Sequence, residues 1–199
     1  MKKFIKITST CLPIRDENID TDQIVPARFL KITTREGFGK YLFYDWRFDN
    51  YGKKKKNNQF DDSNHHTYKI LIAGNNFGCG SSREHAVWAL QDFGFDALIS
   101  SSFGDIFYSN ALKNGLLPVI VKPQELDKLF RQFENNPSQK VSIDLAEQKV
   151  ICSSLSLNFT IDSFRKSCLL KGVDELGYIL SFENKIKNFE SSHKIFITT

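Results

Sequence analysis

The sequence predicts an α/β or α+β layer domain, on three observations. A short, continuously apolar segment at 68–73 is followed by a helical repeat. Strand-like and helix-like patterns then alternate through residue 133. A run of short strands and three helical patterns complete the chain.

The elements follow in order. Tyr68-Lys69-Ile70-Leu71-Ile72-Ala73 is short, β-branched and apolar throughout, as a buried strand requires. Ala86, Leu90 and Phe93 recur at near-helical spacing, and Gly94 is placed to stop that helix. Residues 95–100 read as a strand, 105–113 as a helix ended by Gly115, and 116–121 as a further strand. Pro123 opens a helix over 124–133 that stops before Pro137. Residues 141–145, 149–152 and 156–161 form a meander of short strands. Helical patterns follow near 164–170, 174–180 and 182–189.

With 199 residues, 41% of them apolar, the chain is expected to bury one core as a single domain over 1–199. Its core is expected over about 4–182, with a helical tail over about 183–199. The net charge of +4 is matched arithmetically by Lys53-Lys54-Lys55-Lys56. That run sits in a polar stretch with no wider basic face, so a solvated loop tip is expected instead of a nucleic-acid site. No segment has the roughly 18 consecutive apolar residues of a membrane span. The start carries lysines without a continuous apolar run, so the expected compartment is the cytoplasm.

The most informative stretch is Gly78-Cys79-Gly80-Ser81-Ser82-Arg83-Glu84-His85, between an apolar strand and a helix. Ser81-x-x-Glu84 has the form of a capping box, worth about 1 kcal/mol and needing no function. Two glycines, a second serine and an arginine are more than a cap requires. A guanidinium at a helix N-terminus opposes the macrodipole, so it suits either an anion placed between them or a salt bridge with a nearby acid. Ser82 offers a hydroxyl and an N–H to the same anion. Ser81 is a cap, a ligand contact or a base. As a base it needs help: a helix terminus supplies at most about 2 kcal/mol, or roughly 1.5 pKa units. That is far too little to ionise a serine at neutrality, so the site looks like half of a larger one.

The four cysteines, Cys11, Cys79, Cys152 and Cys168, show no close pairing and no metal spacing. His65 and His66 lie in a polar loop, His193 near the end and His85 on the helix. Packed or loop thiols in a reducing compartment are expected, and no metal site in this chain.

These residues make the chain resemble the small subunits of bacterial 3-isopropylmalate dehydratase, the detached swivelling domain of the aconitase superfamily. The likeness is carried by 18–26 (Asn-Ile-Asp-Thr-Asp-Gln-Ile-Val-Pro), Gly37-Phe38-Gly39, Asp45-Trp46-Arg47-Phe48 and 76–86. It continues through Ser102-Phe103, Asp105-Ile106-Phe107, Asn110, Leu116-Leu117-Pro118-Val119 and Phe159-Thr160-Ile161-Asp162. The resemblance implies a three-layer β/β/α swivelling domain. It implies a hydro-lyase that isomerises 2-isopropylmalate to 3-isopropylmalate through 2-isopropylmaleate, in leucine biosynthesis. It further implies a large-subunit partner that carries a [4Fe-4S] cluster. By position Ser81 matches the family's alkoxide base, and Ser82 and Arg83 match its contacts to a substrate carboxylate. Arg35 is the nearest match to a second substrate-binding arginine. Phe29, Leu30, Ile32 and Phe38, in the loop associated with substrate choice, suit either an isopropyl group or packing beneath the loop.

Overall fold

The computed structural model describes residues 1–31, 34–56, 58–60 and 68–193. The predicted loop residues Ile32, His65 and His66 lie outside them. The chain runs β1 (Lys6–Ile14), α1 (Thr21–Ile24), α2 (Tyr44–Arg47), β2 (Ile70–Ala73), α3 (Glu84–Phe93), β3 (Ala97–Ser100), α4 (Asp105–Asn114) and β4 (Leu117–Ile120). It continues through α5 (Pro123–Asn135), β5 (Lys140–Asp144), β6 (Lys149–Cys152), β7 (Leu155–Asn158), α6 (Ser163–Lys171), α7 (Glu175–Leu180) and α8 (Glu183–Ser192).

The strands form one seven-stranded sheet in the order β4-β3-β2-β1-β5-β6-β7. The β1-β2, β2-β3 and β3-β4 pairs are parallel, and β1-β5, β5-β6 and β6-β7 are antiparallel. β1 joins the two halves. Residues 6–10 pair with β5, and Cys11–Ile14 pair with β2. Burial follows the pairing: β2 and β3 are buried at every residue, whereas β6 alternates exposed and buried. Covered parallel strands and one-faced antiparallel strands differ in this way.

Two clusters fill the faces of the sheet. Leu71, Leu98, Leu12 and Ile14 meet Ala86, Val87 and Leu90 of α3 and Phe107 and Ala111 of α4. Ile70, Ile72, Ile99 and Val119 on the other face meet Leu126, Leu129, Phe130 and Phe133 of α5, along with Val141, Ile143 and Val150 of the antiparallel arm. This is the predicted layered α/β domain.

Two of the helix ends are those read from the sequence. Gly94 closes α3 at φ 123°, and Gly115 closes α4 in the left-handed region. The third strand of the meander is shorter than expected, ending at Asn158. β1 was not anticipated. The four lysines at 53–56 are exposed, as expected of a loop tip, and Lys55 Nζ donates to the Asp45 carbonyl at 2.7 Å.

Candidate active site

The 76–85 segment leaves the carboxyl end of β2 and crosses the carboxyl edge of the parallel strands, where α/β sheets present ligands. Its path depends on glycine. Gly78 adopts φ +73°, and a Cβ there would lie 2.3 Å from Phe107 Cγ; Gly104, before α4, has room for no Cβ against the Gly78 carbonyl, at 2.5 Å. The two helix-leading turns are therefore packed backbone to backbone. Phe77 and Phe103 form a parallel bridge beside them.

Gly80, at φ +91°, turns the chain so that Ser81 and Ser82 are exposed. The predicted capping box at Ser81 does not form. α3 begins at Glu84 with Arg83 as its N-cap and no side-chain cap. The Arg83 N–H donates to the Ser81 carbonyl at 2.9 Å, and this tight turn carries the serine away from the helix N–H groups. Glu84 Oε1 instead accepts from Asn114 Nδ2 at 2.8 Å and from Trp88 Nε1 at 3.4 Å. The reciprocal box is at α1: Asp20 Oδ1 accepts from the N–H of Asp22 and Gln23, and Gln23 Oε1 accepts from the Asp20 N–H, all at 2.8 Å.

α1 is placed against the serine turn by main-chain contacts. The Thr21 N–H donates to the Cys79 carbonyl at 2.9 Å, and Gly78 N–H to the Ile19 carbonyl at 2.7 Å. Thr21 Oγ1 donates to the Ser81 carbonyl at 3.1 Å and lies 3.3 Å from Ser81 Oγ. A threonine hydroxyl has one hydrogen. With that hydrogen on the carbonyl, the Ser81 proton points at Thr21 Oγ1.

Arg83 Nη1 donates to Asp22 Oδ1 at 2.6 Å and to the Val25 carbonyl at 3.4 Å. The arginine side chain is 19% exposed and the aspartate 56%. The bond from Arg83 holds the Asp22 carboxyl below its ordinary range, and the Ala27 N–H adds to this. Of the two sequence alternatives for Arg83, the salt bridge is present, and its hydrogen bonds among the described residues leave only from Nη1. The side-on edge made by Nε and Nη2 fits a carboxylate bidentately.

Arg35 also reaches α3. Its Nη2 lies 3.5 Å from Glu84 Oε1, and its guanidinium lies 4.9 Å from the Trp88 ring centre. The loop residues divide. Phe38 is fully buried against Tyr41, His85 and Trp88, so it belongs to the core. Phe29 and Leu30 are half-buried, Phe29 stacking on Tyr41 at 4.3 Å. Cys79 is half-buried with Sγ 3.4 Å from the Asn18 carbonyl; Cys11, Cys152 and Cys168 are buried, and no disulfide forms. Among the described residues no group of three His, Cys, Asp or Glu could hold a metal ion.

Thr21 and Asp22 are the site residues that sequence spacing alone missed. They lie some 60 positions upstream of the residues they touch. Their only sequence signal was the Asp-Thr-Asp segment within the family likeness.

Fold and site together define an aconitase-type C-terminal domain, and the family profile described as the aconitase C-terminal domain matches residues 1–124. The 3-isopropylmalate dehydratase small subunit of Christiangramia forsetii is 50% identical over 98% of this chain and 95% of its own length. That of Cytophaga hutchinsonii is 47% identical over 98% and 97%. The solved structure of 3-isopropylmalate dehydratase from Methanocaldococcus jannaschii is 25% identical, covering 94% of this chain and 99% of its own, with a TM-score of 0.65. The chain belongs to the 3-isopropylmalate dehydratase small-subunit family, within the aconitase C-terminal domains.

Proposed function

We propose that the chain is the small subunit of a cytoplasmic hydro-lyase that interconverts 2- and 3-isopropylmalate through 2-isopropylmaleate, and that it works only with a large-subunit partner. The observation that carries this reading is the solvent-facing Ser81-Ser82 turn beside Arg83, whose Nε–Nη2 edge has no hydrogen-bond partner among the described residues. Full-length likeness to named small subunits supports the substrate. The [4Fe-4S] cluster is assigned to the partner, where it supplies Lewis acidity.

This chain's residues then have separate tasks. Arg83 grips a carboxylate of the bound acid through its side-on edge, and the Ser82 hydroxyl donates to the same group. The grip holds the adjacent C–H against Ser81. Ser81 Oγ, once deprotonated, takes that proton while the C–H electron pair becomes the double bond of 2-isopropylmaleate and the hydroxyl on the neighbouring carbon departs. On rehydration a hydroxyl adds to the carbon that lost its proton, and Ser81 gives the proton to the other. The helix terminus contributes at most about 2 kcal/mol toward the alkoxide. The remaining stabilisation comes from the partner side of the closed site, which makes the isolated chain inactive. Arg35, tethered at the same helix turn, is the second cationic contact.

Reconstitution with the large subunit of the same organism tests this. Turnover of 2-isopropylmalate should exceed that of citraconate, dimethylmalate and homocitrate-type acids. Ser81→Ala should abolish turnover while the thermal midpoint and subunit association stay at wild-type values. Wild-type kcat in that variant removes Ser81 as the base. Turnover of another acid with none of isopropylmalate transfers the chain to a related dehydratase. Anion binding without any activity on reconstitution makes it a binding module.

A further inference from the structure

We propose that the cleft beside the serine turn, lined by Phe103, Tyr108 and Ile120, is a docking surface for the large subunit. It receives an apolar protrusion of that partner, bordered by basic side chains. This rests on the proposed function and deepens it, since it says where the partner that completes the site takes hold. Ser81 and Ser82 face solvent, and proton transfer from carbon to a serine calls for a site closed to water. The partner therefore has to cover the turn. A stable interface takes about 800 Å² from each side, far more than one turn presents, so the cover extends onto the neighbouring surface.

The surface on the α4 side is built for such a contact. The turn that leads into α4 is locked to the serine segment. Phe77 and Phe103 form a bridge, the Gly104 N–H donates to the Phe77 carbonyl at 2.9 Å, and Phe107 lies directly against Gly78. Next to Phe107, in the first turn of α4, Ile106 is 51% exposed. Ile120, at the carboxyl end of β4 and in register with Ser100 of β3, is 42% exposed. Both isoleucines thus stand on the sheet edge that carries the serine turn. One exposed isoleucine is ordinary. Two of them at an open cleft, beside a turn that has to be covered, mark a contact surface.

The charge of the cleft sets the charge of its occupant. Asp105 and Asp162 lie on its wall. Asp162 caps α6 through one oxygen, accepting from the Arg165 N–H at 3.0 Å, and Asp105 sits in the first turn of α4. Neither forms an ion pair among the described residues. Burial, and after it the Asp162 charge, pushes the Tyr108 phenol up, so the negative charge reaches the cleft wall. Lysine or arginine on the partner complements these two carboxylates.

The test measures association of the two full-length subunits by sedimentation velocity, beside turnover of 2-isopropylmalate with the large subunit in excess. Ile106→Ser combined with Ile120→Ser should raise Kd about tenfold. The thermal midpoint should stay at its wild-type value, and kcat at saturating partner within about threefold. Ile151→Ser, which removes an isoleucine of like exposure (41%) from β6, should leave Kd unchanged. Asp105→Asn should make Kd less sensitive to salt. Wild-type Kd in the double variant overturns the inference, as does equal weakening by Ile151→Ser. Lower kcat at saturating partner with unchanged Kd overturns it too, by placing the isoleucines in the reaction. Salt dependence untouched by Asp105→Asn overturns the basic border. If the wild-type pair associates without turning over isopropylmalate, the proposed function fails first. If that pair is active and the double variant binds as tightly, only the docking surface fails.

Discussion

A cation at the start of a ten-residue helix costs stability unless something negative lies close by. Arg83 meets that condition through Asp22, and the pairing leaves a planar, two-donor edge with no hydrogen-bond partner among the described residues. Lysine at 83 could still satisfy Asp22 as a point charge, but it has no second edge. Arg83→Lys should therefore reduce kcat/KM about 10- to 100-fold while stability changes little, as steady-state kinetics beside urea denaturation would show. The cysteines separate by environment in the same way. Burial pushes the Cys11, Cys152 and Cys168 thiols up, and Cys79 is the half-buried one. Native alkylation with iodoacetamide, read by intact mass, should label one thiol quickly and four after unfolding. At this scale the sequence made Ser81, Ser82 and Arg83 visible because they share one turn. It misassigned Glu84, since Ser-x-x-Glu fits a cap and nothing local reveals that Gly80 swings the serine outward toward Thr21.

Among the elements, α3 and α4 were legible from spacing and from Gly94 and Gly115, which are local signals. β1 was not, and its physics explains why. Its first residues belong to a one-faced antiparallel pairing and its last to a covered parallel one, so neither periodicity runs the length of Lys6-Ile7-Thr8-Ser9-Thr10-Cys11-Leu12-Pro13-Ile14. α1, at four residues, was too short to show any period, yet it carries both Thr21 and Asp22 to the site. The contact between the two helix-leading turns makes a direct prediction. Gly78→Ala would place a methyl 2.3 Å from Phe107 Cγ at a positive φ. It should destabilise the fold by about 2 kcal/mol or more and cut activity by displacing Ser81, measurable as a lower urea midpoint together with a fall in kcat.

For the molecule as a whole, titration bounds the stable range from both sides. Asp22 is lowered by its Arg83 bond, Asp144 by the Glu147 N–H and Glu175 by Arg165. The unfolded chain binds these protons at a higher pH than the native one does, so their contribution is complete above about pH 4 and fades as pH falls through the lowered native values. The three buried thiols act oppositely. Unfolded cysteine ionises near pH about 8.5, the native thiols only above it, so stability declines as pH rises beyond that point. Urea midpoints should form a plateau between these limits and drop on either side; a midpoint that keeps rising into alkali contradicts the thiol assignment. The way β1 serves both halves of the sheet also bears on how the protein is made. Lys6–Thr10 can find their partners only after Lys140–Asp144 have left the ribosome, so a nascent chain of some hundred residues exposes one bare strand edge throughout its synthesis.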